Sequence, residues 1–317
     1  MDEYTLKTKR MLNERFKMVD KDGVYWAHQP VYGFRSGHEE AGRFDQYIRT
    51  YEIMRSLSHL DFKTLLDVGG AEGWKAALAK NLFDAEVANS DLSEEACKRA
   101  AELFGIRSVP GDVHDLPFNS SEFDIVLASE TLEHAKDVNQ ALRELLRVAR
   151  KAVVLTVPHE TREEVERNIA EEEVHGHIHV FDLESFNFLK SEGYEVLCKK
   201  VMTQYSVALA LKLIDKELVQ QKVEGAKPFK ALLSHMMNMC VPVANRILLD
   251  KRTTALIMKL NSLISPFTTT YYNTLCMILK DKECFKRKKM RTVSAYDILN
   301  FRRPLHYLEM KEINRST

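Results

Sequence analysis

Apolar and polar positions change period several times along the chain. Between residues 64 and 158, short runs rich in Leu, Val and Ile alternate with amphipathic stretches. TLLDVG (64–69), EVANSD (86–91), SVPGD (108–112), FDIVLAS (123–129) and AVVLTVP (152–158) read as strands. Residues 73–82, 93–104 and 137–149 read as helices. This alternation predicts a parallel sheet with helices on both faces, an α/β doubly wound architecture.

Residues 1–60 predict a helical cap around a loop near 22–38, with Phe44, Ile48, Tyr51, Met54 and Leu57 mostly at helical spacing. After 158 come an acidic helical stretch, HGHIHVF, a helix over 182–192 and the strand GYEVLCKKVM. Residues 204–267 predict a helical insertion whose Phe229, Leu232, Leu233, Met236, Met237 and Cys240 share one face, broken by Pro242. TYYNTLCMILK (270–280) returns to strand character. The predicted organisation is a cap (1–60), a core (61–203 and 268–282), the insertion (204–267) and a basic C-terminal tail (283–317) carrying KRKKMR.

The chain has 317 residues, 45% of them hydrophobic and 29% charged, which excludes fibrous and wholly disordered classes. Five cysteines without a CxxC pair exclude a zinc ribbon and predict no disulfide framework, in keeping with a reducing compartment. The charged start MDEYTLKTKR lacks a signal-peptide pattern, and no run of 18 apolar residues occurs. The expected location is therefore cytoplasmic. Formal net charge is zero, but residues 1–198 carry 37 acidic and 24 basic side chains, against 9 and 22 in 199–317. The cationic third suits an anionic surface, so peripheral membrane contact is a further expectation, with packing of the two halves as the simpler alternative.

LLDVGGAEGW (65–74) takes an apolar strand into an acid, Asp67, and then a turn holding Gly69, Gly70 and Gly73. Such a turn lets backbone N–H groups approach a ligand. The next strand ends at Asp91, placed to accept both hydroxyls of a ribose. A nicotinamide fold competes on the turn alone, but Ala71 interrupts a GxGxxG spacing.

DVGGAEG resembles motif I of class I S-adenosylmethionine-dependent methyltransferases, with Ala71 in place of the middle Gly. GDVHDLPFNSSEFDIVLASETLEH (111–134) resembles the broad small-molecule and lipid group that includes quinone-pathway enzymes. The resemblance implies a Rossmann-like, seven-stranded, mostly parallel sheet and S-adenosylmethionine as cofactor. It places Gly69, Ala71 and Gly73 against the methionine part and Asp67 near its amino group. Asp91 would hold the ribose, Leu92, Asp112 and Val113 would bound the adenine, and Ser129 would lie beside the transferable methyl.

A sulfonium is an activated methyl donor, so alignment supplies most of the catalysis, about 7–11 kcal/mol. Should a base be needed, Glu130, His134 and His159 are the candidates, with Glu133 and the cluster His175, His177, His179 behind them. The implied acceptor is a small-molecule or lipid-like compound methylated on O, N or C, with the insertion 204–267 expected to cover its site, and nucleic acid is not expected as a partner. ETLEH and HGHIH also resemble the ligand spacing of metal-assisted RNA 2′-O-methyltransferases, which would make Glu130, Glu133, His134 and His177 ligands. No metal requirement is expected, because ExLEH also occurs in quinone-pathway enzymes. A non-catalytic cofactor-binding protein is the third reading, and the presence of Asp67, Asp91 and Asp112 speaks against it.

Overall fold

The structure is a computed structural model that describes residues 2–17, 44–171, 173–203 and 251–301. The predicted loop near 22–38, the apolar face Phe229 to Cys240 and the segment 302–317 lie outside them.

Helix α1 (Glu3–Lys17) and α2 (Phe44–Leu57) precede the alternating core. The core then runs β1 (Thr64–Val68), α3 (Trp74–Phe83), β2 (Glu86–Asp91), α4 (Glu94–Phe104), β3 (Arg107–Pro110), β4 (Phe123–Ser129), α5 (Val138–Val148) and β5 (Ala149–Pro158). Helix α6 (Arg162–Ala170), β6 (Glu195–Lys200), α7 (Lys251–Ile264), β7 (Asn273–Leu279) and α8 (Ala295–Asn300) follow. The seven strands lie in the order β3-β2-β1-β4-β5-β7-β6, with β7 antiparallel to both neighbours. Strand order reverses between β1 and β4, the switch point at which such sheets bind ligands beyond their carboxyl ends.

Adjacent strand residues serve opposite faces. Leu65, Ile125, Leu127, Val154 and Met277 pack with α2, α3, α7 and α8, whereas Leu66, Val126, Val153, Leu155 and Ile278 pack with α5 and with Phe181, Phe186 and Leu189. Both faces are covered, which explains why β4 is buried at all seven positions.

Three expectations change. The helix predicted over 182–192 is a single 3-10 stretch, Asn187–Glu192. Local bonds from Asp182 N to Ser185 Oγ and from Glu184 N to Asp182 Oδ1, both 2.8 Å, hold the first residues in a turn instead. The basic tail is core structure over part of its length: KRKKMR is largely exposed, but Val293, Ala295, Ile298 and Leu299 are buried, and Phe301 packs edge-on to Trp74. Cys198 and Cys276 stand directly opposite each other in β6 and β7 and form one disulfide, a pair that the scattered cysteine spacing did not predict. The described part of the insertion, α7, packs against α2 and α8 through Ala255 and Met258. Among the described residues, no helix is long and apolar enough to cross a membrane.

Candidate functional site

A cleft opens at the carboxyl ends of β1, β2 and β4. Its floor is the turn after β1. Gly69 and Ala71 both hold positive φ, 66° and 49°, and both line the cleft. A Cβ on Gly70 would meet Asn89 Oδ1 at 2.0 Å and Asp67 Cγ at 2.8 Å, so the turn leaves no room for a side chain there. Gly73 has another use: a Cβ would strike Ile106 Cδ1 at 2.7 Å and Ala100 Cβ at 2.9 Å. It lets α3 pack against α4 and does not line the cleft.

Asp91 closes β2 inside the cleft. Its Oδ2 accepts from Ala71 N and its Oδ1 from Ser93 N, each at 2.9 Å. Burial still dominates and pushes the carboxyl up to about 6. Asp67 is also buried, with Oδ2 lacking a hydrogen-bond partner, and burial raises it to about 7 despite the attraction of Lys75. Asp67 sits behind the cleft wall, which Lys75 reaches. Leu92, Asp112 and Val113 line the far end. Asp112 Oδ1 takes bonds from His114 N at 3.0 Å and from His114 Nδ1 at 2.6 Å. Hydrogen bonding from Asp112 raises the imidazole's pKa.

Ser129 and Glu130 line the near end. Ser129 Oγ lies 3.0 Å from Thr156 Oγ1. Glu130 has φ 57°, an uncommon value for a non-glycine residue that re-aims the chain at the end of β4. Its carboxylate accepts from Asn273 Nδ2 at 3.0 and 2.9 Å and from Thr156 Oγ1 at 2.9 Å, and Arg49 lies 3.4 Å away. These donors hold the carboxylate in one position at the edge of the cleft.

His134 lines the cleft, stacked on His175 with ring centroids 3.7 Å apart. Burial, with His175 and His177 adding to it, lowers its pKa to about 2. An imidazole that holds a proton so weakly is a poor general base, which counts against His134 in that role. His159 lies outside the cleft lining, stacked on Tyr271 at 4.2 Å with Nδ1 2.8 Å from Phe181 O. Packing and that bond account for its position. The histidines of HGHIH diverge: His175 and His177 meet His134, while His179 Nε2 is 2.5 Å from Ala135 O.

The cleft roof was not foreseen. Tyr4, Thr5, Thr8, Leu12 and Phe16 of α1 line it, together with Arg49 of α2. Helix α1 is latched by Arg99 Nη1 to Phe16 O at 2.8 Å, by Ser93 Oγ to Asn13 Oδ1 at 2.7 Å and by Lys9 to Glu94 at 2.6 Å. The signal available in the sequence was the helical spacing of Thr5, Thr8, Leu12 and Phe16.

Residues 66–157 match the family model described as a methyltransferase domain. Over these residues the chain is similar to methyltransferases. An O-methyltransferase of Penicillium expansum is 30% identical over 34% of this chain and 42% of its own length. The chloroplastic tocopherol O-methyltransferase of Arabidopsis thaliana is 29% identical over 40% and 39%, and the fatty-acid O-methyltransferase of Mycolicibacterium smegmatis 30% over 42% and 52%. The chain thus spans about half the length, or less, of these curated relatives. The geranyl diphosphate C-methyltransferase of Streptomyces coelicolor A3(2), solved with Mg2+, geranyl diphosphate and S-adenosyl-L-homocysteine, shares the fold at TM-score 0.54 and 13% identity, over 88% of this chain and 99% of that one.

S-adenosylmethionine is the cofactor that goes with such a methyltransferase domain, and the residues present fit it. Tyr4 Oη, Thr8 Oγ1 and Asp67 Oδ2 are buried without partners in or just behind the cleft wall. The Gly69–Gly70 turn offers close backbone approach. A carboxylate at the tip of β2 matches a vicinal diol.

Proposed function

We propose that the protein transfers the methyl group of S-adenosylmethionine to an oxygen, nitrogen or carbon atom of a small-molecule or lipid-like acceptor. The observation that carries this reading is the cleft at the switch point, where the turn after β1 and Asp91 are joined by one hydrogen bond. Bound there, the cofactor supplies an electrophilic methyl on a cationic sulfur.

The chain's own residues bind and align. Asp91, with both oxygens aimed by backbone donors, accepts from the ribose hydroxyls. Gly69 and Ala71 present backbone to the methionine part, and Asp67 behind them offers charge to its amino group. Leu92, Val113 and Asp112 bound the adenine. Ser129 and Glu130 border the methyl, where the fixed charge of Glu130 faces a cationic sulfur. Helix α1 excludes water from above. Relatives named for tocopherol and fatty-acid methylation support a lipid-like acceptor.

Contact with an anionic membrane belongs to the same proposal, from the cytoplasmic side. Leu256, Leu260, Leu263, Ile264 and Phe267 are all exposed, at spacings that form one stripe along α7 and the turn after it. Phe267 is 87% exposed. An apolar stripe beside cations such as Lys259 suits the headgroup boundary.

Incubation with methyl-labelled S-adenosylmethionine and a pool of prenylated phenols, fatty acids and small amines tests the reading. Label should move to an organic-soluble or small-molecule product with wild type and not with Asp91→Ala. Transfer to RNA alone would overturn the acceptor class, and equal transfer by Asp91→Ala would overturn the site.

A further inference from the structure

Beneath the acceptor end of the cleft, one donor atom each from Glu133, His134 and His177 lies within 4.8 Å of the others. We propose that these three residues bind one divalent transition-metal cation, against the expectation that no metal takes part.

Glu133 is the anomaly that points to a ligand. Its side chain is wholly buried, and neither carboxylate oxygen has a hydrogen-bond partner. A buried carboxylate is normally paired or bound to metal. His134 Nε2 is 3.9 Å from Glu133 Oε1, and that ring is neutral, so it offers the carboxylate no charge.

Both imidazoles are held the way ligating histidines are held. His134 Nδ1 lies 3.2 Å from Gly176 O, an acceptor only, so Nδ1 carries the proton and Nε2 keeps its lone pair. His177 Nδ1 lies 2.8 Å from Glu160 Oε1, which assigns Nε2 as its ligating nitrogen. A carbonyl behind one ring and a carboxylate behind the other are the outer partners that fix tautomer and raise ligand basicity. Glu160 keeps a second oxygen, Oε2, buried without a partner.

The two segments are pinned to each other. Ile178 N donates to Glu133 O at 3.0 Å, and Asn168 Nδ2 donates to His177 O at 3.3 Å. Metal–nitrogen bonds of about 2.0–2.1 Å put tetrahedral ligand atoms about 3.4 Å apart. Binding the ion would draw the present spacing, up to 4.8 Å, in to that distance. Glu130 is not a ligand, because Asn273, Thr156 and Arg49 already engage its carboxylate. His179 is not one either, because its Nε2 is committed to Ala135 O.

Two imidazoles and one carboxylate select zinc, cobalt, manganese or iron over magnesium and calcium. Three protein ligands leave coordination positions open. His134 lines the cleft, so those positions face the acceptor side. An oxygen-bearing acceptor would then be held by the ion; this consequence alone rests on the methyl-transfer reading.

The test uses the full chain, stripped with a chelator and titrated with Co2+ in the absence of any nucleoside. Wild type should bind one equivalent and develop visible d–d absorption, which Zn2+ then bleaches. Glu133→Gln and His177→Ala should lose the band, and Glu160→Gln should keep it with about 10–100-fold weaker binding. His177 is partly exposed, so its variant is expected to fold and covers the case in which Glu133→Gln does not. A colourless wild type, or variants that bind cobalt as wild type does, would overturn the site. Cobalt binding without S-adenosylhomocysteine binding would overturn the methyl-transfer reading and leave the metal site standing.

Discussion

The amide of Ala71 donates to Asp91 Oδ2 at 2.9 Å, joining the turn after β1 to the tip of β2 across 20 residues of chain. With Ser93 N on the other oxygen, the carboxylate is aimed before any ligand arrives. Ala71 at φ 49° delivers that amide, so the residue that departs from the glycine pattern still performs the turn's task.

Burial raises Asp91 to about 6 and Asp67 to about 7, from 3.8 in the unfolded chain. Between those values the folded chain holds protons that the unfolded chain has released. Stability from these two groups is therefore full below about 4 and falls as pH rises through the window to about 7. Thermal melts from pH 4 to 8 should show a shallower loss for Asp67→Asn than for wild type; equal slopes would contradict the shift. If Asp91 binds a diol as the carboxylate, S-adenosylhomocysteine binding at pH 6 should also release protons, read by calorimetry in buffers of different ionisation enthalpy.

Gly70→Ala would drive a methyl to within 2.0 Å of Asn89 Oδ1. The backbone must shift, at a cost of about 1–3 kcal/mol, and the shift moves Ala71 N off Asp91. Denaturant melts should show that loss, and calorimetry should show weaker S-adenosylhomocysteine binding. Unchanged affinity would mean that the turn does not touch the ligand.

Arg99 pairs with buried Glu72 and also latches α1 through Phe16 O. Arg99→Met leaves Glu72 charged and buried, and breaking such a pair costs about 3–5 kcal/mol. Because α1 roofs the cleft, hydrogen exchange in residues 3–17 should rise along with the loss of stability. Protection of α1 as in wild type would show that the helix is held without the latch.

His159→Ala should leave turnover and S-adenosylhomocysteine binding unchanged, since its ring stacks on Tyr271 away from the cleft lining. A large loss of kcat at unchanged stability would restore it as a base.

Leu260→Glu with Leu263→Glu should release the protein from phosphatidylserine-containing vesicles in flotation without lowering its melting temperature, because both side chains are exposed. Flotation as in wild type would remove α7 from the membrane proposal.

The alternating core was legible because apolar runs such as LLDV and FDIVLAS end in glycine or acid turns, so local pattern and fold agree. What was not legible depends on partners distant in sequence. The cysteine pair spans 78 residues and exists only because β7 inserts between β5 and β6. Gly73 stands in a ligand-binding motif, but Ile106 and Ala100 decide its use. The roof depends on Arg99 reaching Phe16, 83 residues away. KRKKMR reads as a tail because its charges mask the buried apolar residues that follow, Val293, Ala295, Ile298 and Leu299.

Calorimetric titration of the full chain with S-adenosylhomocysteine tests the methyl-transfer reading most directly. Wild type should bind one equivalent, and Asp91→Ala should bind about 10–100-fold more weakly, the loss of a charged acceptor worth roughly 1.5–3 kcal/mol. Saturable binding of NADH in place of S-adenosylhomocysteine, or equal affinities for wild type and Asp91→Ala, would contradict it.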